Sequence, residues 1–240
     1  MVPNSTLIIT SSVFVSSRFT KIMDPQIREE QYANSILYYI NETDIHQIVV
    51  CDNSGFDYSK YNFKAIALKK NKEIEFLSFI GKQEAVAKFG KGFGEGEIMK
   101  YVINNSQILK NTPAYFKVTG RIKIKNINKL IKLTDPKKNF FHRIHTKLII
   151  PHNMVDTRLY YCQKTDYIKH LYNSYKNVND PNGYYLEHAY FDALKRNKMP
   201  FEDFIREPIF SGISGSTGIS YEVPFIKLAI KQLLKRLRCI

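Results

Sequence analysis

The chain has no tryptophan and only three cysteines in 240 residues. Cys51, Cys162 and Cys239 lie far apart, are odd in number and form no C-x-x-C. A disulfide framework is therefore excluded, and a reducing compartment suits the chain. No run approaches the ~18 consecutive apolar residues that a membrane-crossing helix needs. Met1-Val2-Pro3-Asn4 lacks the basic start of a leader peptide, and the Leu7-Ile8-Ile9 run that follows reads better as a first strand. D-x-D occurs nowhere, so the usual acidic pair for a divalent cation on a nucleotide diphosphate is missing. Acids are scarce in general. Against 36 Lys and Arg stand 22 Asp and Glu, a formal charge of +14. Such an excess predicts an anionic partner: nucleic acid, anionic lipid or a phosphorylated ligand. A compositional bias toward Lys, Asn and Ile accounts for it equally well.

What is present suffices for a core, since 44% of residues are hydrophobic and 13% aromatic. Leu7-Ile8-Ile9-Thr10 reads as a strand. Asp24-Pro25 then supplies a helix cap and a first-turn proline. Ala33, Ile36, Leu37 and Ile40 follow at helical spacing. Ile48-Val49-Val50-Cys51 is a continuous apolar run, as in a strand buried on both faces of a parallel sheet. Residues 6–55 thus read as one βαβ unit. Further strands are expected at 74–80, 115–118 and 147–150, the last stopped by Pro151. Helices are expected after the glycine-rich segment, at 126–133, from Thr165, and from Leu186, where Leu186, Ala189, Tyr190, Ala193 and Leu194 give the clearest period. This alternation predicts an α/β fold with a mostly parallel sheet flanked by helices. The division is a domain over 1–223 and a basic amphipathic helix over 224–240.

Asp52-Asn53-Ser54 falls where a buried parallel strand ends, the usual ligand edge of an open α/β sheet. Thr10 ends the first strand at the same edge. Arg28, early in the first helix, is a candidate ligand contact or a solvated surface residue. Tyr115-Phe116-Lys117-Val118-Thr119-Gly120-Arg121 is a strand that ends in a glycine, which permits close backbone approach. Arg121 beside it suits phosphate or carboxylate. The segment Gly90-x-Gly92-x-Gly94-x-Gly96 has neither dinucleotide nor triphosphate-loop spacing. Lys91, Gly92 and Gly94 are nonetheless candidates to bring backbone N–H groups to a phosphate at a helix start. A mobile surface loop is the plain alternative.

Residues 117–147 hold ten Lys or Arg and one acid, Asp135. Most of this block reads as a solvated basic face. His142, His145 and His152 fit no familiar zinc spacing, so no metal ligand is assigned. Glu187 and His188 open the most periodic helix and are candidates for a general base; a first-turn Glu that complements the helix dipole is the alternative. Asp156 and Arg158 orient a polar substrate or pair with each other. Ser211-Gly212-Ile213-Ser214-Gly215-Ser216-Thr217-Gly218 is rich in donors and is either a phosphate-covering loop, with Ser214, Gly215 and Ser216 as contacts, or a linker. From Lys227 the chain carries five cations and no acid, with Leu228, Ala229, Leu233 and Leu234 apolar. That pattern suits an anionic membrane surface or a packed terminal helix.

Four groups of residues carry a resemblance, the last three of them to bacterial sugar transferases encoded with surface-polysaccharide and lipooligosaccharide genes. They are Arg28-Glu29-Glu30-Gln31-Tyr32 with Ile48-Val49-Val50-Cys51-Asp52-Asn53-Ser54, Gly92/Gly94/Gly96 with Lys117-Val118-Thr119-Gly120-Arg121, Tyr185-Leu186-Glu187-His188, and Gly212-Ile213-Ser214-Gly215-Ser216. The first group is similar to the nucleotide-binding half of GT-A-type glycosyltransferases. The resemblance implies sugar transfer from a nucleotide-activated donor to a glycan or lipid-linked acceptor. It also implies a cytoplasmic protein, peripheral at the inner face of the cell membrane, with no nucleic acid partner. Asp52 would contact the nucleoside, Lys117, Thr119 and Arg121 would stand where relatives place D-x-D, and Glu187 or His188 would face the acceptor. Without D-x-D, Lys117 and Arg121 would neutralise the leaving phosphate and metal dependence is left open. The alternative is a non-catalytic nucleotide- or nucleic-acid-binding protein with a basic surface.

Overall fold

A computed structural model describes residues 5–15, 20–146, 150–215 and 217–236. β1 (Thr6–Ser11), β2 (Gln47–Asp52), β3 (Glu73–Ser78) and β4 (Ala114–Thr119) run parallel. β6 (Phe140–Thr146) and β7 (Ile150–Gln163) complete a six-stranded sheet in the order β3-β2-β1-β4-β7-β6. β7 is antiparallel to both β4 and β6. A second, two-stranded sheet joins β5 (Lys123–Ile124) to β8 (Phe210–Ser211). The expected mostly parallel α/β sheet is therefore present, with one antiparallel flank.

α1 (Pro25–Asn41), α2 (Phe63–Lys69) and α5 (Ile127–Leu133) share one core with one face of the sheet. α4 (Lys91–Asn105), α7 (Leu186–Arg196) and the turns between them share a second core with the other face. α3 (Gln83–Phe89) precedes α4, and α6 (Lys164–Asp166) runs into a π-helical turn over Tyr167–Leu171. The sequence predicts a regular helix from Thr165, and the π and 3₁₀ turns replace it.

Two expectations are corrected here. Of the predicted strand at 147–150 only Ile150 is described, and it opens β7, so Pro151 lies inside a strand and does not stop one. Residues 147–149 lie outside the described residues. The glycine-rich segment is not a loop before a helix. Gly92, Gly94 and Gly96 all lie inside α4. Each costs helix stability of about 1 kcal/mol relative to alanine, yet packing requires them small. A Cβ on Gly96 would come 2.0 Å from Tyr175 Cβ, and one on Gly94 would come 3.0 Å from Asn53 Nδ2.

α8 (Phe225–Arg236) turns its polar side inward. Lys235 Nζ meets Asp203 Oδ1 at 3.0 Å and Glu207 Oε2 at 3.2 Å. Lys231 Nζ meets Glu207 Oε1 at 2.9 Å, and Gln232 Oε1 accepts from the Glu207 N–H at 3.1 Å. Ile226, Ile230 and Leu233 are left exposed. Among the described residues no helix is long and apolar enough to cross a membrane.

Candidate functional site

The carboxyl ends of β1, β2 and β4 open on a cleft closed by α3, α4, the start of α7 and the loop around Gly215. Of the residues singled out in the sequence, Thr10, Arg28, Asn53, Lys91, Gly94, Thr119, Arg121, Arg158, Glu187 and Gly215 line it. The remaining described candidates lie behind that lining, and each has an internal task.

Asp52 is fully buried. Its carboxylate accepts from Ser11 Oγ at 2.7 Å, Val13 N at 3.1 Å, Ser54 N at 2.7 Å and Ser54 Oγ at 2.6 Å. Ser54 Oγ in turn accepts from the Val13 and Phe14 N–H groups, each at 3.0 Å. Asp52 and Ser54 therefore fasten the loop after β1 and do not face the cleft. Arg28 acts on the same loop. Its guanidinium donates to the carbonyls of Ser12, Val13 and Ile22. A buried arginine needs such acceptors, because leaving its charge unpaired is costly. The loop so fixed presents Ser12, Phe14 and Val15 to the cleft.

Asn53, next to Asp52, does reach the cleft. Its Nδ2 donates to the Gly94 carbonyl at 3.3 Å, and its Oδ1 is buried with no protein partner. The start of α4 differs from the sequence expectation. Gly92 is packed against Val178 and Leu186, and its N–H points to Asp180 Oδ2 at 3.5 Å. A carboxylate of the chain itself thus occupies the helix start that was expected to take a phosphate. Gly120 allows the turn after β4 to pass against β1, since a Cβ there would sit 2.3 Å from the Thr10 carbonyl oxygen.

Lys117 is buried to 1% exposure. Its ammonium donates to Glu95 Oε1, to Thr119 Oγ1 at 3.2 Å and to the Thr157 carbonyl at 2.7 Å. Three acceptors use its three hydrogens, so it acts on the cleft through its neighbours and not by direct contact. Burial pushes its pKa down to about 7, against the pull of Glu187 and Asp156. Thr119 Oγ1 also donates to Glu95 Oε1 at 3.2 Å. Thr157 Oγ1 donates to Glu187 Oε1 at 2.8 Å. Two carboxylates on two helices, Glu95 on α4 and Glu187 on α7, are thereby tied to one buried ammonium.

Arg121 is the guanidinium at the end of β4. Nη1 donates to Gln31 Oε1 at 2.8 Å, and Nε is buried with no protein partner. Gly215 lies so close that a Cβ there would come 1.9 Å from Arg121 Nη2. Arg158 lies inside β7, not after a strand end. It is paired with buried Asp156 and held between Phe210 and Tyr221, 4.1 and 4.8 Å from their ring centres. Burial works against the Asp156 charge, but Arg158 outweighs it and holds that carboxyl below its ordinary range.

His188 is not part of the cleft lining. Its Nδ1 accepts from the Tyr185 N–H at 3.1 Å, and its ring stacks on Tyr184. It caps α7. Ser214 Oγ accepts from Thr217 N at 3.2 Å and shapes its own loop, while Ser216 lies outside the described residues. His142 belongs to the buried ion cluster under α8, with Asp203 Oδ1 at 2.9 Å and Glu207 Oε1 at 3.4 Å. The side chains of His145 and His152 lie outside the described residues.

The end of β4 carries no carboxylate of its own. The residues there are Lys117 and Thr119, and a buried ammonium already holds Glu95. Among the described residues no group of three or more His, Cys, Asp or Glu side chains could hold a metal ion. Gln31, Tyr32, Glu95 and Thr157 also line or support the cleft and were not among the sequence candidates.

No protein-family model and no curated protein matches the sequence. Solved structures do match the fold. The apo-form glycosyltransferase GlyE of Streptococcus pneumoniae TIGR4 aligns with a TM-score of 0.51 at 8% identity, over 83% of this chain and 45% of that one. The apo bifunctional glycosyltransferase WbbM aligns with a TM-score of 0.50 at 10% identity, over 97% of this chain and 44% of that one. This chain spans under half the length of each. The fold is that of the GT-A-like glycosyltransferases.

Proposed function

We propose that this chain is a nucleotide-sugar-dependent glycosyltransferase that moves a sugar to a glycan or glycolipid acceptor in bacterial cell-surface polysaccharide synthesis, lipooligosaccharide and capsule included. One observation carries the reading. A single cleft at the carboxyl edge of the parallel strands holds a guanidinium, Arg121, with an unpartnered Nε, and two carboxylates anchored to a buried lysine. The fold shared with GlyE and WbbM, both glycosyltransferases, supports it.

The chemistry follows from charge. Sugar transfer from a nucleotide donor releases a phosphate whose negative charge grows as the glycosidic bond breaks. Arg121, oriented by Gln31 before the ligand arrives, stabilises that charge. Glu187, oriented by Thr157, takes the proton of the attacking acceptor hydroxyl. Arg158 stiffens the wall that carries Tyr221. Asn53 Oδ1 accepts from the nucleoside. Lys117 supports the two carboxylates from beneath.

The acceptor reading includes a lipid surface. The outward stripe of Ile226, Ile230 and Leu233, on a chain of charge +14, suits an anionic inner leaflet. The apolar side chains carry that contact, because Lys231 and Lys235 are turned to internal acids. The protein would then be cytoplasmic and peripheral. Incubation with radiolabelled nucleotide sugars and a lipid-linked glycan tests the reading. Label in the glycan is expected, and label absent with every donor would reject it.

A further inference from the structure

We infer that Glu95 reads the donor sugar, and that the sugar it admits is neutral. This rests on the glycosyltransferase reading of the cleft.

Glu95 lies in the second turn of α4 and lines the same cleft as Thr119, Arg121, Arg158 and Glu187. It is a fifth exposed, so its carboxylate meets the cleft as well as the buried ammonium. Both of its protein contacts, from Lys117 and Thr119, fall on Oε1. A carboxylate offers about four lone-pair sites, which leaves capacity for hydroxyl donors from a ligand.

The helix that carries Glu95 is held in place. Gly94 is bonded to Asn53 of the β2 end, and Gly96 packs where a Cβ would meet Tyr175 at 2.0 Å. The carboxylate is therefore fixed before any ligand arrives, as a specificity residue must be.

The charge in the cleft is divided. Arg121 and Arg28 stand toward α1 and the loop after β1; Glu95 and Glu187 stand over β4 and β7, where the guanidinium of Arg158 is already paired with buried Asp156. A phosphate goes to the guanidinium end, which leaves the sugar over the two carboxylates. Hydroxyl groups donate to a carboxylate in charge-assisted bonds. A sugar acid would place a third carboxylate there and be repelled. Lys117 offsets this only in part, because its ammonium is buried and already spent on Glu95 Oε1, Thr119 Oγ1 and the Thr157 carbonyl.

The test is calorimetric and needs no turnover. The wild-type chain is titrated with UDP, UDP-glucose and UDP-glucuronate, and with GDP, GDP-mannose and GDP-mannuronate. CMP and a CMP-activated sugar acid complete the set. Within the nucleotide that binds, the hexose donor is expected to bind roughly tenfold or more tighter than the hexuronate. Glu95→Gln should bring that ratio to within about twofold and leave the Kd of the bare nucleotide within about twofold. Glu95→Asp keeps the charge and should keep discrimination. Melting curves establish that each variant is folded; if Glu95→Gln is not, the wild-type ratio and Glu95→Asp decide.

An equal preference for neutral and acidic sugars in the wild type overturns the inference. So does selective binding of a CMP-activated sugar acid, or a ratio unchanged in Glu95→Gln. In those cases the nucleotide still binds and the glycosyltransferase reading stands. Absence of binding by every nucleotide and donor rejects that reading and the inference with it.

Discussion

Thr157 donates its hydroxyl to Glu187 Oε1 across 2.8 Å, while its carbonyl accepts from the Lys117 ammonium at 2.7 Å. One residue thus joins the buried cation to the carboxylate proposed to face the acceptor. Thr157→Val keeps the shape and removes the donor. It should lower kcat about tenfold, the worth of one such hydrogen bond, with donor KM nearly unchanged. Thr157→Ser should restore most of the rate. Steady-state kinetics of the three proteins check this; a loss that Ser fails to rescue would mean packing, not orientation, is at stake.

Arg121 and Gly215 form a second testable pair. Arg121→Ala removes the guanidinium at the proposed phosphate end and should raise the nucleotide Kd between about tenfold and a hundredfold. Lys117→Ala is a poorer probe, because it also empties a fully buried site with three hydrogen bonds. Gly215→Ala should mimic Arg121→Ala in direction, since its Cβ must displace the guanidinium. The melting temperature of both variants should fall far less than that of Lys117→Ala. Calorimetry of nucleotide binding, paired with melting curves, reads both effects.

The ion cluster beneath α8 predicts a pH dependence of stability. Burial works against the His142 proton, but Asp203 and Glu207 outweigh it and hold the pKa at about 9, against an ordinary 6.5. A pKa raised by folding contributes stability that is complete below about 6.5 and is lost as pH rises through about 9. The loss is on the order of 3 kcal/mol. Lys117 runs the opposite way, since its folded pKa of about 7 lies below its ordinary 10.5 and stability is regained as pH rises between the two. The difference between wild type and His142→Gln isolates the histidine. Urea unfolding between pH 6 and 10 should show that difference shrinking with pH; a constant difference would contradict the assignment.

The outward face of α8 predicts a lipid effect independent of folding. Ile226→Asp and Ile230→Asp place a charge where a side chain is already exposed. Stability should change by less than about 0.5 kcal/mol, as at ordinary surface positions. Partition to anionic vesicles should drop roughly tenfold for the pair. Sedimentation with vesicles rich in phosphatidylglycerol measures it, and unchanged partition would remove α8 from the lipid contact.

The parts of the fold most legible in the sequence are those governed by local pattern. Ile48-Val49-Val50-Cys51 is apolar without a break because β2 is buried on both faces. The period from Leu186 shows because α7 has one wet side and one dry side. What stayed hidden depends on contacts far apart in the chain. Gly92, Gly94 and Gly96 argue locally for a loop, and only their close packing on Leu186, Asn53 and Tyr175 accounts for glycines inside a helix. Pro151 argues for a strand end, but it sits near the turn of the β6–β7 hairpin, paired with His145. The site divides in the same way. Strand ends marked the cleft region, yet Asp52, Lys117 and His188 point to internal partners that no spacing announces. Glu95 and Thr157 went unrecognised because their importance arises from Lys117, whose burial only the fold determines.

The central claim is that this cleft binds a nucleotide-activated sugar, and a thermal-shift panel tests it most directly. Purified protein is melted with UDP, GDP, CMP and TDP, each with and without Mg²⁺ or Mn²⁺. A ligand that binds only the folded state stabilises by about 2.7 kcal/mol at a hundredfold excess over its Kd. For a chain of this length that is a rise of about 5–10 °C. The account predicts such a rise with one nucleotide, present without added metal and cut by about half or more in Arg121→Ala. No rise with any of the four, or a rise that Arg121→Ala retains in full, would contradict it.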